Sequence, residues 1–365
     1  MSCDLENSVR HKVELVRGML ERKNCDCVLI QAQVNLSWLT GGRYFVNLAA
    51  ESGNAGILIT PDQVLLVANN IEGERLWREE MAGEICDRLL VYRWYAEEEK
   101  EALVRENARG LRLAYDDDLK AEFRRLRTVM TAEEQQRYAV LGRLAGEAVE
   151  EAALACRPGE TEYQIAGRLA GACFSRGLEP VVCLVGSDER AFAYRHPLPT
   201  GKRLAEYVLL ILVARKWGLH ASLSRAVYFG RLPAELAARQ RAVLRVEARC
   251  LAATGPGMTL GGVYDLARKA YIEEGYDGEW EYHHQGGLTG YQSREIKALP
   301  GDRTEIVPGQ VLAWNPTIRG TKAEDTVLVT DAGLELLTPT PLFPVETVVV
   351  EGGVWRRPFI LTRLP

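Results

Sequence analysis

Apolar residues recur every three or four positions along VELVRGMLERKN (13–24), the spacing of one helix face. The run CVLI (27–30) that follows is short enough for a buried strand. AGILIT (55–60) and PDQVLLVANN (61–70) then read as strand, turn and strand, and IEGERLWREEMAG (71–83) as a helix. This alternation predicts a small α/β domain ending near LAYDDDLK (113–120), followed by a basic connection, FRRLRTVM (123–130). The tetrad TAEE (131–134) has the spacing of a capping box and predicts the start of a long Ala-rich helix running to about Ala155.

Beyond that helix the pattern repeats. PGETEYQIAGRLAGACFSRG (158–177) and PGMTLGGVYDLARKAYIEEG (256–275) align without a gap. Pro158, Gly159, Thr161 and Gly177 match Pro256, Gly257, Thr259 and Gly275. Each half is predicted to be a long helix, a Pro-Gly break, a second helix ended by glycine, and then strands. Proline and glycine punctuate many helices, but four identities in one register inside the same pattern favour an internal duplication. A histidine segment follows each second helix: YRHPLPT (194–200) in the first half and YHHQGG (282–287) in the second. Two related halves that each bring a histidine forward would line one cleft.

Composition adds limits. The 365 residues suit two domains, and 47% hydrophobic with 26% charged residues is ordinary for a globular protein. A net charge of -5 with no Lys/Arg run gives no reason to expect nucleic acid. The longest apolar run, YVLLILVA (207–214), is far short of a bilayer span, and MSCDLENSVRHK lacks the apolar stretch of a signal peptide. Eight cysteines without C-x-x-C spacing read as free thiols, so the expected compartment is the cytoplasm.

On these motifs the chain resembles the creatinase/aminopeptidase P superfamily, the pita-bread fold. NLSWLTGG (35–42) matches the creatinase-type N-terminal domain, and the duplicated part matches from about residue 128 to LELLTP (334–339). The resemblance implies an α/β N-terminal domain (1–125) and an α+β pita-bread domain with pseudo-two-fold duplication (126–340). The tail departs from the simplest members, and VETVVVEGGVWRRPFIL (345–361), two β-rich runs around Gly352-Gly353, reads as a hairpin extension (341–365). The resemblance also implies a homodimer and a small-molecule substrate.

The metallopeptidase members of that superfamily hold two divalent ions with two Asp, one His and two Glu. Carried over position by position, the first Asp falls on Leu212 and the second, in ASLSRAV (221–227), on Ser222. The His is kept as His284 in HHQGG. One Glu becomes Asn315 in PGQVLAWNP (308–316), and the last is kept as Glu324 in KAEDTVLV (322–329). A substrate-contacting histidine matches His196, and another is replaced by Tyr291. Of the four carboxylates only one survives, too few to neutralise two divalent ions. The expectation is no dinuclear cofactor. Three protein ligands can make a zinc site, so a single ion on His284, Glu324 and His196 stays open.

Creatinase gives the precedent for metal-free C–N hydrolysis. By resemblance His196 is cast as general acid or base, Glu324 as the carboxylate that orients it, positions water or binds a cationic substrate group, and His284 as oxyanion donor with Tyr291 and Asn315. Ser222 is placed at the substrate. Arg195, Arg319 and Lys322 are candidates to hold a substrate carboxylate. Alternation along a strand predicts that only one of His283 and His284 faces the cleft, and the resemblance selects His284. The leading expectation is therefore a metal-independent hydrolase of a small amide, amidino or cyclic amidine compound. A catalytically inactive binding protein and an Xaa-Pro aminopeptidase with a residual metal site are the alternatives.

Overall fold

Apolar runs too short for helices form the first sheet, and the amphipathic segments between them form its helices. The computed structural model describes residues 2–80 and 82–364, with the side chains of 2–7 not described. It divides into two units, 1–133 and 134–365.

The first unit contains α1 (Ser2–Arg22), β1 (Cys27–Ala32), α2 (Gln33–Thr40), β2 (Ser52–Ile59), β3 (Val64–Asn69), α3 (Gly73–Glu79) and α4 (Ala82–Ile85). It continues with β4 (Arg88–Tyr92), α5 (Glu97–Asn107), β5 (Leu113–Tyr115) and α6 (Lys120–Leu126). Its mixed sheet has the order β4-β3-β2-β1-β5. Two expectations shift here. The helix expected over 71–83 is two short helices, with Met81 between them outside the described residues. FRRL, read as connection, is the last turn of α6, where Phe123 is fully buried.

The second unit opens within α7 (Ala132–Ala155) and displays the duplication. α8 (Glu162–Ser175) is capped by Thr161, whose hydroxyl accepts from Gln164 N–H in a capping box, and α11 (Leu260–Glu273) by Thr259, which accepts from Gly262 N–H. Thr161 bridges Arg203 just as Thr259 bridges Glu305. The repeated glycines share a left-handed backbone: Gly159 and Gly257 at φ +89° and +88°, Gly177 and Gly275 at +65° and +79°. That shared requirement explains why glycine recurs at these positions.

The first half supplies β6 (Glu179–Ser187), the short α9 (Glu189–Ala193), β7 (Tyr207–Lys216) and β8 (Leu219–Phe229). After α10 (Ala234–Ala253) and α11, the second half supplies β9 (Gly286–Thr289), β10 (Ile296–Lys297), β11 (Val311–Trp314), β12 (Thr317–Ile318) and β13 (Thr321–Lys322). It is completed by β14 (Asp325–Thr330) and β15 (Gly333–Leu336), giving a sheet ordered β10-β9-β11-β14-β15. The tail forms the expected hairpin, β16 (Val345–Val350) with β17 (Gly353–Pro358), and β18 (Leu361–Arg363) then adds in parallel to the edge at β8.

The register of β7 on β8 corrects one position. Leu212 pairs with Leu223, whereas Ser222 pairs with Val213 and Ser224 with Ile211. Paired residues share a face, so Leu212 points opposite to Ser222. The strand positions beside Ser222 and Ser224 are thus Val213 and Ile211, neither of which has a donor atom.

Candidate functional site

The two sheets of the second unit meet where Ser224 N–H donates to Glu324 O at 3.1 Å. That junction is locked from behind. Arg225 donates through Nη2 to Asp325 Oδ1 at 2.7 Å and through Nε to Thr340 Oγ1 at 2.6 Å. Arg357 also binds Asp325, and holds Glu247 with two bonds of 2.8 Å. Thr326 Oγ1 accepts from Ser222 N–H and donates to Ser222 O. These buried bonds hold Asp325 and Thr326, so Glu324, adjacent in the chain, is presented on a rigid support.

The Glu324 side chain is the hub of the cluster. Oε2 accepts from Ser224 Oγ at 2.6 Å and lies 3.7 Å from Lys322 Nζ. Oε1 accepts from Arg294 Nη2 and from Asn315 Nδ2, each at 3.3 Å. Arg294 Nη1 also lies 3.4 Å from Ser222 Oγ. Burial by itself raises the Glu324 carboxyl, but Lys322, Arg294 and the Ser224 hydroxyl together hold it below its ordinary value. It is ionised at neutral pH.

A histidine relay adjoins this hub. His283 Nδ1 lies 2.6 Å from His284 O, an acceptor only, so Nδ1 carries the proton. His283 Nε2 is then a lone pair, and it faces His196 Nε2 at 3.0 Å and Lys322 Nζ at 3.4 Å. His196 therefore donates from Nε2 and keeps its own lone pair on Nδ1. Burial first, then Lys322, lowers the basicity of His196 and, much further, of His283. Burial and Arg294 push His284 down to about 3. All three imidazoles are neutral at pH 7.

This arrangement corrects the expectation that only one of the adjacent histidines faces the site. His283 and His284 precede β9, and their rings stack at 4.6 Å. Strand alternation does not govern them. Gln285 braces the segment, donating to His283 O at 2.6 Å and accepting from Tyr271 OH at 3.0 Å. The next two glycines are required by close strand approach. A Cβ on Gly286 would lie 2.2 Å from Ala313 O, and one on Gly287 2.2 Å from Ile296 O. Across the site, a Cβ on Gly186 would strike Pro197 at 2.5 Å, so that glycine seats the loop carrying His196.

Of the residues singled out in the sequence, the structure links His196, His284, Glu324, Ser222, Asn315 and Lys322 to this cluster. Arg195 stands at its edge, paired with Glu279. Tyr291 is spent elsewhere: its buried hydroxyl donates to Glu134 Oε1 at 2.5 Å. Arg319 is also elsewhere. It is exposed, bonds Phe192 O, and lines a separate cleft of about 580 Å3 with Phe192, Tyr207 and Leu236. Sequence reasoning assigned no role to Arg294, Ser224 or His283. Ser224 and His283 lie inside quoted motifs and Arg294 follows one, but motif spacing does not give the direction of these side chains.

The donor set does not fit the two divalent ions that the resemblance implies. The five positions now carry an apolar residue, Ser222, His284, Asn315 and Glu324. Two cationic side chains, Arg294 and Lys322, contact the one remaining carboxylate. Among the described residues, no group of three or more His, Cys, Asp or Glu side chains is placed to hold a metal ion. A divalent ion at Glu324 would lie against a guanidinium and an ammonium.

Comparison with known proteins agrees with the architecture. The model of the creatinase/prolidase N-terminal domain matches residues 12–139, and that of metallopeptidase family M24 matches residues 136–331. An uncharacterized peptidase of Staphylococcus saprophyticus is 26% identical over 230 residues, and one of Staphylococcus aureus 25% over 239; each match covers 60% of this chain and 65% of the relative. The chain thus matches less than two thirds of the length of those relatives. The fold is shared with the prolidase from Pyrococcus horikoshii OT3, at a TM-score of 0.74 and 22% identity over 90% of this chain and 98% of that one. It is shared also with the Xaa-Pro dipeptidase from Bacillus anthracis, at 0.74 and 18% over 97% and 100%. With its creatinase-type N-terminal domain and duplicated pita-bread domain, the chain belongs to metallopeptidase family M24.

Proposed function

We propose that this M24 member is a metal-independent hydrolase of a C–N bond in a small amide or amidino compound, with His196 as the proton-transfer group. The observation that carries this reading is the convergence of Arg294 and Lys322 on Glu324, where the family would hold its ions. His196 is exposed, neutral, and oriented by His283, with its Nδ1 lone pair free to take a proton from an attacking water. The proton then passes from His196 to the departing nitrogen. Asn315, Ser222 and His284 are the neutral groups around the reacting centre. The free, mostly buried cysteines support a reducing, cytoplasmic setting, and a homodimer is proposed by family analogy.

The test is turnover of a panel of N-acyl, amidino and Xaa-Pro compounds by protein purified without chelator, with its metal content measured. The reading expects hydrolysis that survives chelation and falls about 100-fold or more in His196→Ala. Stoichiometric metal with chelator-sensitive peptide hydrolysis would instead identify an Xaa-Pro peptidase. A second reading, a non-catalytic binding protein, is favoured by how tightly the centre is filled: the Lys322, Glu324 and Arg294 side chains are 2%, 3% and 9% exposed. No turnover of any panel member, with ligand binding retained, would select it.

A further inference from the structure

The charges and the hydrogen bonds of the hub fail to balance in the same direction. Arg294 and Lys322 are two cationic side chains on the single carboxylate of Glu324, and the adjoining imidazoles of His196, His283 and His284 supply no negative charge in either protonation state. One positive charge is left over among side chains that are almost wholly buried. An uncompensated buried charge costs several kcal/mol, so such centres persist where a partner offsets it.

The hydrogen bonds carry the same sign. Arg294 Nε, buried in a side chain only 9% exposed, has no acceptor among the described residues. Neither does His284 Nδ1 on the stacked ring beside it. Arg195 Nη1, at the edge of the cluster, is a third donor without a partner. One acceptor, Asn315 Oδ1, is also unmet, because its amide nitrogen is turned to Glu324. Two unused donors on guanidinium groups, joined by the His284 ring nitrogen in its Nδ1–H tautomer, against one acceptor define the complement: an anion with several acceptor oxygens.

We infer that the former metal position is a carboxylate-binding subsite, in which Arg294 and Lys322 hold the carboxylate of a small ligand against Glu324 and the histidine relay. Arg294 offers Nε and His284 its ring nitrogen, in the Nδ1–H tautomer, while Lys322 supplies charge. The ammonium is held 3.4 Å from His283 Nε2, so a carboxylate here lies next to the relay that ends on His196. The inference rests on reading this cluster as a ligand site, and it narrows the substrate to compounds bearing a carboxylate. It does not require turnover.

The experiment is thermal unfolding of the full chain titrated with N-acetylglycine and with its neutral counterpart, N-acetylglycinamide. A saturable rise in Tm with the acid and none with the amide is expected, since a ligand that binds only the folded state stabilises it by mass action. His196→Ala should keep that shift. Arg294→Gln and Lys322→Gln should each weaken the acid by about tenfold or more, the loss expected for one charge-assisted contact. Arg294→Lys and Lys322→Arg retain the charge and keep the comparison readable where a glutamine variant does not fold. Equal shifts with acid and amide, no saturable shift with the acid, or unchanged affinity in the folded variants would each overturn the inference. Absence of hydrolysis with acid binding intact would remove only the proposed reaction. Hydrolysis lost in His196→Ala, with no preference for acid over amide, would remove only the subsite.

Discussion

His196 Nε2 and His283 Nε2 stand 3.0 Å apart, one contributed by the segment after the first repeat and the other by the segment after the second. The duplication thus closes on a hydrogen bond between two imidazoles, and the direction of that bond follows from its neighbour. His283 must donate Nδ1–H to His284 O, which leaves His196 as the donor across the gap.

This direction is directly measurable. Long-range 15N–1H spectra at pH 7 should show His283 as the Nδ1–H tautomer and His196 as the Nε2–H tautomer, both neutral. Observation of an Nε2–H His283, or of a protonated His196, would reverse the relay and remove His196 Nδ1 as the acceptor.

Much of this site was readable from the chain, and the unread part has one physical cause. The repeat, the retained His284 and Glu324 and the loss of three family ligands follow from motif spacing, because spacing fixes which residue occupies a position. Side-chain direction is another matter. A shift of one residue along β7 moves Leu212 to the far face and brings Val213 and Ile211 beside the serines. Strand alternation failed at His283 because the residues before β9 are not strand. Arg294 lies between β9 and β10, where neither period applies, so its contact with Glu324 left no sequence pattern. Tyr291 shows the converse: the position matches a family histidine, yet the hydroxyl is committed to Glu134.

The single carboxylate should be worth more to stability than its surface area suggests. Glu324→Gln leaves Arg294 and Lys322 buried without a counter-charge, so a loss of about 3–5 kcal/mol is expected in denaturant unfolding. Adding Lys322→Met should recover part of that loss, because the two effects share one electrostatic cause and are not additive. If the double variant is no more stable than Glu324→Gln alone, Lys322 does not contribute to the imbalance.

Two glycine substitutions should behave oppositely. Gly286→Ala forces a Cβ to within 2.2 Å of the Ala313 carbonyl at φ +124°, and is expected to cost several kcal/mol or abolish folding. Gly171 lies within α8, where an added Cβ meets nothing within 4 Å. Gly171→Ala should be neutral or stabilising by up to about 1 kcal/mol. Comparable losses at both positions would show that helix α8 is packed in a way the structure does not contain.

Acid should unfold the protein through its histidines. Burial, reinforced by Arg215, lowers His220 to about 3 from an ordinary value near 6.5, and His284 falls to about 3 through burial and Arg294. Between those limits the unfolded chain binds a proton at each site that the folded chain refuses, so stability must rise with pH across the window. The contribution is complete above about pH 6.5 and is lost progressively as pH falls toward 3. His220 is buried, its Nδ1 3.3 Å from Gly290 O, and it has no part in the proposed proton transfer, which makes it the cleaner probe. His220→Gln removes that titration while leaving a side chain that can bond the same carbonyl. Denaturant midpoints measured from pH 7 to pH 4 should therefore fall less steeply in the variant than in the natural chain. Parallel slopes would mean that His220 is protonated equally in both states, and that the acid sensitivity belongs to other groups.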